Sequence, residues 1–392
     1  MAMRKIYLDH NATTPVRAEV FEAMKPLLTD HWGNPSSVHW IGREAKDFLD
    51  EARSQVAAFM GADPSEIVFT SCGSESDNQA IKGIATQYAK RGRHIITTTV
   101  EHPAVLETCR HLESMGHAVT YVPVDRAGMV DMNEYRKSFR DDTVLVSSMM
   151  ANNETGNIFP IKEMAAYAKE RRVLFHTDAV QAAGKIHLNV RDLGVDLLTI
   201  SGHKIYAPKG VGALYVRKGV KIANLIHGGH QEDGRRAGTE NVAGIVALGV
   251  ACELAEREID ALTPRLLQLR NKLEKGVLEK FDEVKLNGHP TSRVPNTSNI
   301  SFFYVEGESI LLDLDLEGVA ASSGSACSSE SSAPSPVLTA MCIPPEQSRG
   351  ALRFSLGREN TIEDVDYVLE VLPPIIERLR SLSPLYRKKK AS

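Results

Sequence analysis

The sequence predicts an α/β protein: a large part built on a mostly parallel mixed sheet flanked by helices, joined to a smaller α+β part. Three observations predict it. From about residue 15 to residue 260, helical patterns alternate with short apolar, β-rich runs, which is the signature of a parallel sheet covered on both faces. A Pro208-Lys209-Gly210 turn then leads straight into residues 211–216, a connection too short for a crossover, so this run reads as an antiparallel return strand. From Leu262 the alternation stops and long helical patterns surround few strands.

In chain order, the strands of the large part are read at residues 66–70, 94–98, 119–122, 143–147, 173–175, 197–200 and 211–216. A long amphipathic helix is expected from Leu262 to about Lys280, then a strand over residues 298–303 and a helix from about Ile362 to Arg380 that Pro373-Pro374 should kink or divide. The division that follows is a large domain at 15–261, and a small domain made of 1–14 and 262–392. Residues 320–335, half of them serine, are too small and polar to bury much surface and read as a mobile loop.

Composition narrows the function. At 392 residues, with 42% hydrophobic and 24% charged, the chain is ordinary globular protein, and its net charge of −4 implies no pull toward nucleic acid or membrane. The basic end, Arg387-Lys388-Lys389-Lys390, reads as a solvated tail. Five cysteines with no C-x-x-C pair argue against a disulfide framework or a zinc site. His227-Gly228-Gly229-His230 lacks the further ligands a metal needs, so no metal is expected. Residues 6–9 look like a strand rather than part of a secretory signal, and the longest apolar stretch, 242–252, is short of a membrane span. A reducing cytoplasm is the compartment expected.

Chemistry concentrates at strand ends, where α/β proteins place it. Phe175-His176-Thr177-Asp178-Ala179-Val180-Gln181 and Ser201-Gly202-His203-Lys204 each follow an apolar run. A carboxylate that holds a ring nitrogen protonated, beside a lysine that forms a Schiff base, is the minimum apparatus of pyridoxal phosphate (PLP) chemistry. A buried Asp with a snorkelling Lys would look the same. Ser71-Cys72-Gly73-Ser74 precedes a helix read from Asn78 onward. It suits a phosphate at a helix start, and it equally suits Ser74 as a plain N-cap. Asn152-Asn153-Glu154-Thr155-Gly156 is either a simple turn or a source of an amide for a pyridine 3′-oxygen. His102, after another strand, could stack on a planar ring and move protons near neutral pH, although a lone histidine is more often merely structural. Cys327 stands in the middle of the serine-rich loop, where a thiol is accessible, with nothing adjacent in sequence to lower its pKa.

Taken together, residues 7–15, 33–37, 101–103, 152–156, 201–204, 238–241, 323–327 and 353–358 make the chain resemble, over essentially its whole length, the PLP-dependent cysteine desulfurases of the NifS/IscS type. These belong to the class V aminotransferase superfamily with the fold-type I architecture. The wording at 71–73, 151–156 and 228–232 leans to the NifS branch. The resemblance implies that Lys204 holds PLP as a Schiff base and moves the substrate proton, that Asp178 pairs with the ring nitrogen, and that Asn153 and Gln181 flank the 3′-oxygen. It implies that His102 stacks on the ring and that Gly73, Ser74, Ser201 and His203 hold the phosphate, with Thr239 reaching it from the neighbouring subunit of a homodimer. Arg353, with Asn34 nearby, would clamp the carboxylate of L-cysteine.

Cys327 would take the sulfur as a persulfide, leaving L-alanine. It would pass that sulfur to an iron–sulfur scaffold of the NifU/IscU type, where it can also serve as a transient cluster ligand. Two departures stand out: His10, where many relatives have Asn or Tyr, and a short C-terminal end. The alternatives are a selenocysteine lyase or another class V lyase or aminotransferase, and a sulfur-carrying module that accepts persulfide without making it.

Overall fold

A computed structural model describes residues 4–323 and 335–391. After the short strand β1 (Ile6–Tyr7), the large sheet is built from β2 (Ile67–Thr70), β3 (His94–Thr98), β4 (Ala118–Val122), β5 (Thr143–Ser147), β6 (Leu174–Asp178), β7 (Leu197–Ser201) and β8 (Gly212–Val216). Their order is β2-β8-β7-β6-β5-β3-β4. Pairs from β4 to β7 are parallel, and β8 alone runs antiparallel to both its neighbours, as the short connection before it requires. β6 extends to Asp178, beyond the expected residues 173–175, because Thr177 and Asp178 still pair with Leu198 and Thr199.

The alternation of a strand explains how the sheet is buried twice. Val68, Ile95, Leu145 and Leu197 pack under the helices Gly73–Gln87 and Pro103–Ser114. Their immediate neighbours Phe69, Ile96, Val146 and Leu198 enter the opposite core with residues of the helices Trp40–Met60 and Ile161–Glu170. Central strands are buried on both faces, whereas the edge strand β4 is mostly half-buried.

The remaining strands are β9 (Val284–Asn287), β10 (Thr297–Phe302), β11 (Val319–Ala320) and β12 (Ala351–Ser355). β12-β10-β9 form an antiparallel sheet, and β11 pairs parallel with β1. Ile300, Phe302, Leu352 and Phe354 make a separate core with Ile6, Leu8 and the helix Ile362–Leu382. That helix is one element despite Pro373 and Pro374. The prolines remove two intrahelical donors, yet Leu369, Leu372, Ile375 and Ile376 stay buried on its inner face. The expected helix from Leu262 is the second half of a 39-residue helix, Val242–Lys280, with Pro264 inside it. Ile245 and Leu248 of its first half belong to the large core, and Leu266, Leu269 and Leu273 of its second half to the smaller one. Among the described residues no helix is long and apolar enough to cross a membrane.

Candidate active site

The C-terminal ends of β6 and β7 open onto a cavity of 390 Å³ lined by Gly73, Ser74, His102, Asn153, Asp178, Gln181, Ser201, His203, Lys204 and Arg353, together with Asn11, Cys72, Asp77, Glu101 and Glu154. Local packing brings them there. The helix Gly73–Gln87 begins five residues before the expected Asn78, with Cys72 as an extended N-cap that makes no side-chain cap bond, so Ser74 is a first-turn residue and not the cap. A β-carbon on Gly73 would lie 3.0 Å from Val180 and 3.4 Å from Ser201, so a glycine is what lets the helix start sit against the ends of β6 and β7. The first N–H groups of a helix have no intrahelical acceptor. Ser201 Oγ, fully buried at the same place, has no hydrogen-bond partner among the described residues.

Lys204 Nζ donates to the carbonyls of Asn11 and Ala12, both at 2.6 Å. Asp178 Oδ1 accepts from the Val180 N–H (2.8 Å), and burial drives its pKa up, opposed by the nearby His102 and Lys204. Behind it, Asp77 is driven well up by burial and by the Asp178 charge, and lies 3.6 Å from His176. His176 is held between Ser147 (2.9 Å) and Thr199 (3.0 Å), and burial lowers it to about 3, so it is neutral. Glu101 accepts from Thr98 (2.6 Å) and from the Met149 N–H (2.9 Å). Burial pushes its pKa up to about 8.

His102 caps the helix Pro103–Ser114, its Nδ1 accepting from the Ala104 N–H (3.1 Å), which leaves the neutral ring's proton on Nε2. Burial and Lys204 lower its pKa, with Asp178 opposing. His203, 3.1 Å from Thr13 Oγ1, is brought down to about 4 by burial and the neighbouring lysines. Arg353 donates to the Asn153 carbonyl (3.0 Å) and to Asp9 (2.8 Å).

This donor set fits PLP. A lysine amine, a buried carboxylate suited to a protonated ring nitrogen, and an orphaned hydroxyl beside open helix N–H groups share one cavity. Two residues implied by the resemblance lie outside the lining: Asn34 is exposed, its Oδ1 taken by the Ser36 N–H (2.9 Å), and Thr239 is exposed elsewhere on this single chain. Cys327 lies outside the described residues.

The class-V aminotransferase family matches residues 6–368. Cysteine desulfurase IscS of Dictyoglomus turgidum is 56% identical over 97% of this chain and 97% of its own length. The protein of the same name from Methanosarcina thermophila is 55% identical over 98% of this chain and 95% of its own. The chain belongs to the cysteine desulfurases of the class-V aminotransferase family. A solved NifS-like protein superposes on this desulfurase with a TM-score of 0.91 at 41% identity, covering 96% of this chain and all of that one. A second, from Rickettsia africae, gives 0.87 at 33% identity, covering 95% and 100%. The relatives' names carry both the IscS and the NifS label. The family is PLP-dependent, in agreement with the donor set.

Sequence reasoning missed Asn11, Asp77, Glu101 and Lys185. Asn11 and Glu101 stood inside quoted motifs, but Asn11 works through its carbonyl and through a side-chain amide bound to residues distant in sequence, and Glu101 is a buried acid one residue before His102. No spacing announces either. His10, the unexplained departure, is a buried ring packed edge-on against Tyr7 (4.9 Å), with Gly357 so close that any β-carbon there would overlap it.

Proposed function

We propose that this desulfurase holds PLP at Lys204, converts L-cysteine to L-alanine and collects the sulfur as a persulfide on Cys327. The observation that carries the reading is the meeting, in one cavity, of the Lys204 amine, the buried Asp178 carboxylate and the orphaned Ser201 hydroxyl at a helix start. When bound, PLP supplies an electron sink that weakens the bonds at the substrate's α- and β-carbons.

The protein's own groups do the rest. Asp178 holds the proton on the ring nitrogen, Gln181 and Asn153 meet the 3′-oxygen, and His102 offers a neutral ring with its proton on Nε2. Gly73, Ser74, Ser201 and His203 hold the phosphate. The Arg353 guanidinium, oriented by Asp9 and the Asn153 carbonyl, binds the substrate carboxylate as a planar fork. Lys204 carries the substrate's α-proton.

Cys327, as thiolate, attacks the substrate sulfur. The new S–S bond forms as the C–S bond breaks, its electron pair staying with carbon, which takes up a proton to become alanine. The persulfide then moves to an acceptor, for which a NifU/IscU-type scaffold is the partner we infer. The working unit is a homodimer in the cytoplasm, with Thr239 supplied by the partner subunit, and the domains divide at residues 14/15 and 261/262.

Alanine and sulfide released from L-cysteine with a thiol reductant, compared between wild type and Cys327→Ala at equal PLP content, tests this. Release by wild type and none by the variant is expected. Equal release would remove Cys327 from the mechanism and move the reading to another PLP lyase, such as a selenocysteine lyase.

A further inference from the structure

Lys185 is buried in the turn after β6, and no carboxylate pairs with it among the described residues. Its Nζ donates to Gln181 Oε1 (2.5 Å) and to Asn11 Oδ1 (3.1 Å). A lysine amine in this role donates, so the Gln181 oxygen must face it, and the orientation of that amide is set. Gln181 Nε2 then points the other way, giving one N–H to the Asn11 carbonyl (2.9 Å) and keeping a second for the cavity it lines.

Asn11 is held by the same lysine. Its Oδ1 also accepts from Asn296 (3.2 Å), its Nδ2 donates to Thr297 (2.8 Å) and to the Asn153 carbonyl (3.2 Å), and its own carbonyl accepts from Lys204. The backbone of Lys185 is fixed in turn by Thr263, whose hydroxyl donates to its carbonyl (3.1 Å) from the long helix. Burial, and the charges of Lys204 and Arg353, hold its pKa well below the usual lysine range. An unpaired buried lysine is an expensive way to fill space. Its two contacts instead serve the residues beside Lys204.

We propose that Lys185 is a positioning residue that, by holding Gln181 Oε1 and Asn11 Oδ1, commits the Gln181 amide to present an N–H to an oxygen of the bound cofactor. This rests on the reading of the cavity as the PLP site. Nothing in the sequence motifs pointed to Lys185, which shares the turn with Gln181 but lies outside every segment that carried the resemblance.

The test is a double-mutant cycle in PLP affinity, measured by titrating PLP onto the full-length protein stripped of cofactor, for wild type, Lys185→Met, Gln181→Met and the double variant. Each single variant is expected to weaken binding about ten-fold, the scale of one lost hydrogen bond to a charged or strongly polar group. The double variant is expected to bind no more than about two-fold worse than Gln181→Met, because Lys185 acts through Gln181. The visible absorption maximum of the bound cofactor should move alike in the two single variants.

Losses that multiply in the double variant, or wild-type affinity in Lys185→Met, overturn the proposal. If Lys185→Met is insoluble, Lys185→Gln replaces it in the cycle, and insolubility of both assigns the residue to folding and also overturns it. Failure of the wild type itself to take up PLP is a different result, which removes the reading of the cavity.

Discussion

Glu101 shows how burial makes chemistry out of an ordinary side chain. With a hydroxyl and an amide as its donors and no cation facing it among the described residues, its acid form is favoured up to about pH 8. An acid whose pKa is raised on folding binds more protons folded than unfolded between the two values. Stability is therefore lost as pH rises from about 4.5 to about 8, and is level above that. Glu101→Gln keeps a neutral group of the same shape and removes this dependence. Urea unfolding of both proteins at pH 5 and pH 8 should show wild type losing roughly 2–4 kcal/mol relative to the variant over that interval. A gap that does not change with pH would mean that Glu101 is ionised in the fold. At this scale the motif side chains at the ends of strands and at one helix start were legible as cavity lining, whereas Asn34 and Thr239, which also stand in motifs, lie outside it. Asp178, Lys204, His102, Ser201 and Arg353 all meet in the cavity. The sequence was not legible for Asn11, because any residue supplies a carbonyl and the partners of its side-chain amide stand outside the motifs, or for the placement of Asn34, because exposure does not show in a motif.

The elements were legible where burial is continuous, since the parallel strands are apolar from end to end, and less so where tertiary packing overrides a local rule. Pro264, Pro373 and Pro374 sit inside helices because the apolar faces around them are buried, and Gly73 opens a helix early because the helix start packs on β6 and β7. Another override is the short turn Gln231–Gly234, where Glu232 and Asp233 lie at φ 50° and 55°, left-handed geometry that costs a non-glycine residue about 1 kcal/mol or more. Glu232 holds it in place through a two-pronged pair with Arg53 (2.7 and 2.9 Å) and a bond from the Phe69 N–H (2.8 Å), tying the segment before Thr239 to β2. Arg53→Met leaves that carboxylate buried without its cation, and a loss of about 3–5 kcal/mol is expected. Denaturant unfolding checks it: an unchanged midpoint would show that the turn is held by other contacts.

At the scale of the whole molecule, the site exists because two separately cored parts meet. The large sheet supplies Asp178 and Ser201, and the turn straight after β7 supplies Lys204, while Arg353 comes from β12 of the small sheet and Asn11 from the segment after β1. The N-terminal strand, the sheet ends and the C-terminal strand are distant in sequence, which is why motifs scattered from residue 7 to residue 358 identified the family better than any one of them. The long helix Val242–Lys280 contributes to both cores, a feature that periodicity divided because residues 242–252 are buried or half-buried on every side and only the later part has an exposed face.

Whether Lys204 carries both the cofactor and the turnover is decided by alanine and sulfide release from L-cysteine by wild type and by Lys204→Ala, with the visible spectrum of each recorded first. Wild type should show the bound-cofactor band and release both products, and Lys204→Ala should lose the lysine-bound band and all turnover. Full sulfur release by Lys204→Ala would mean that sulfur is not cleaved with a cofactor held at Lys204.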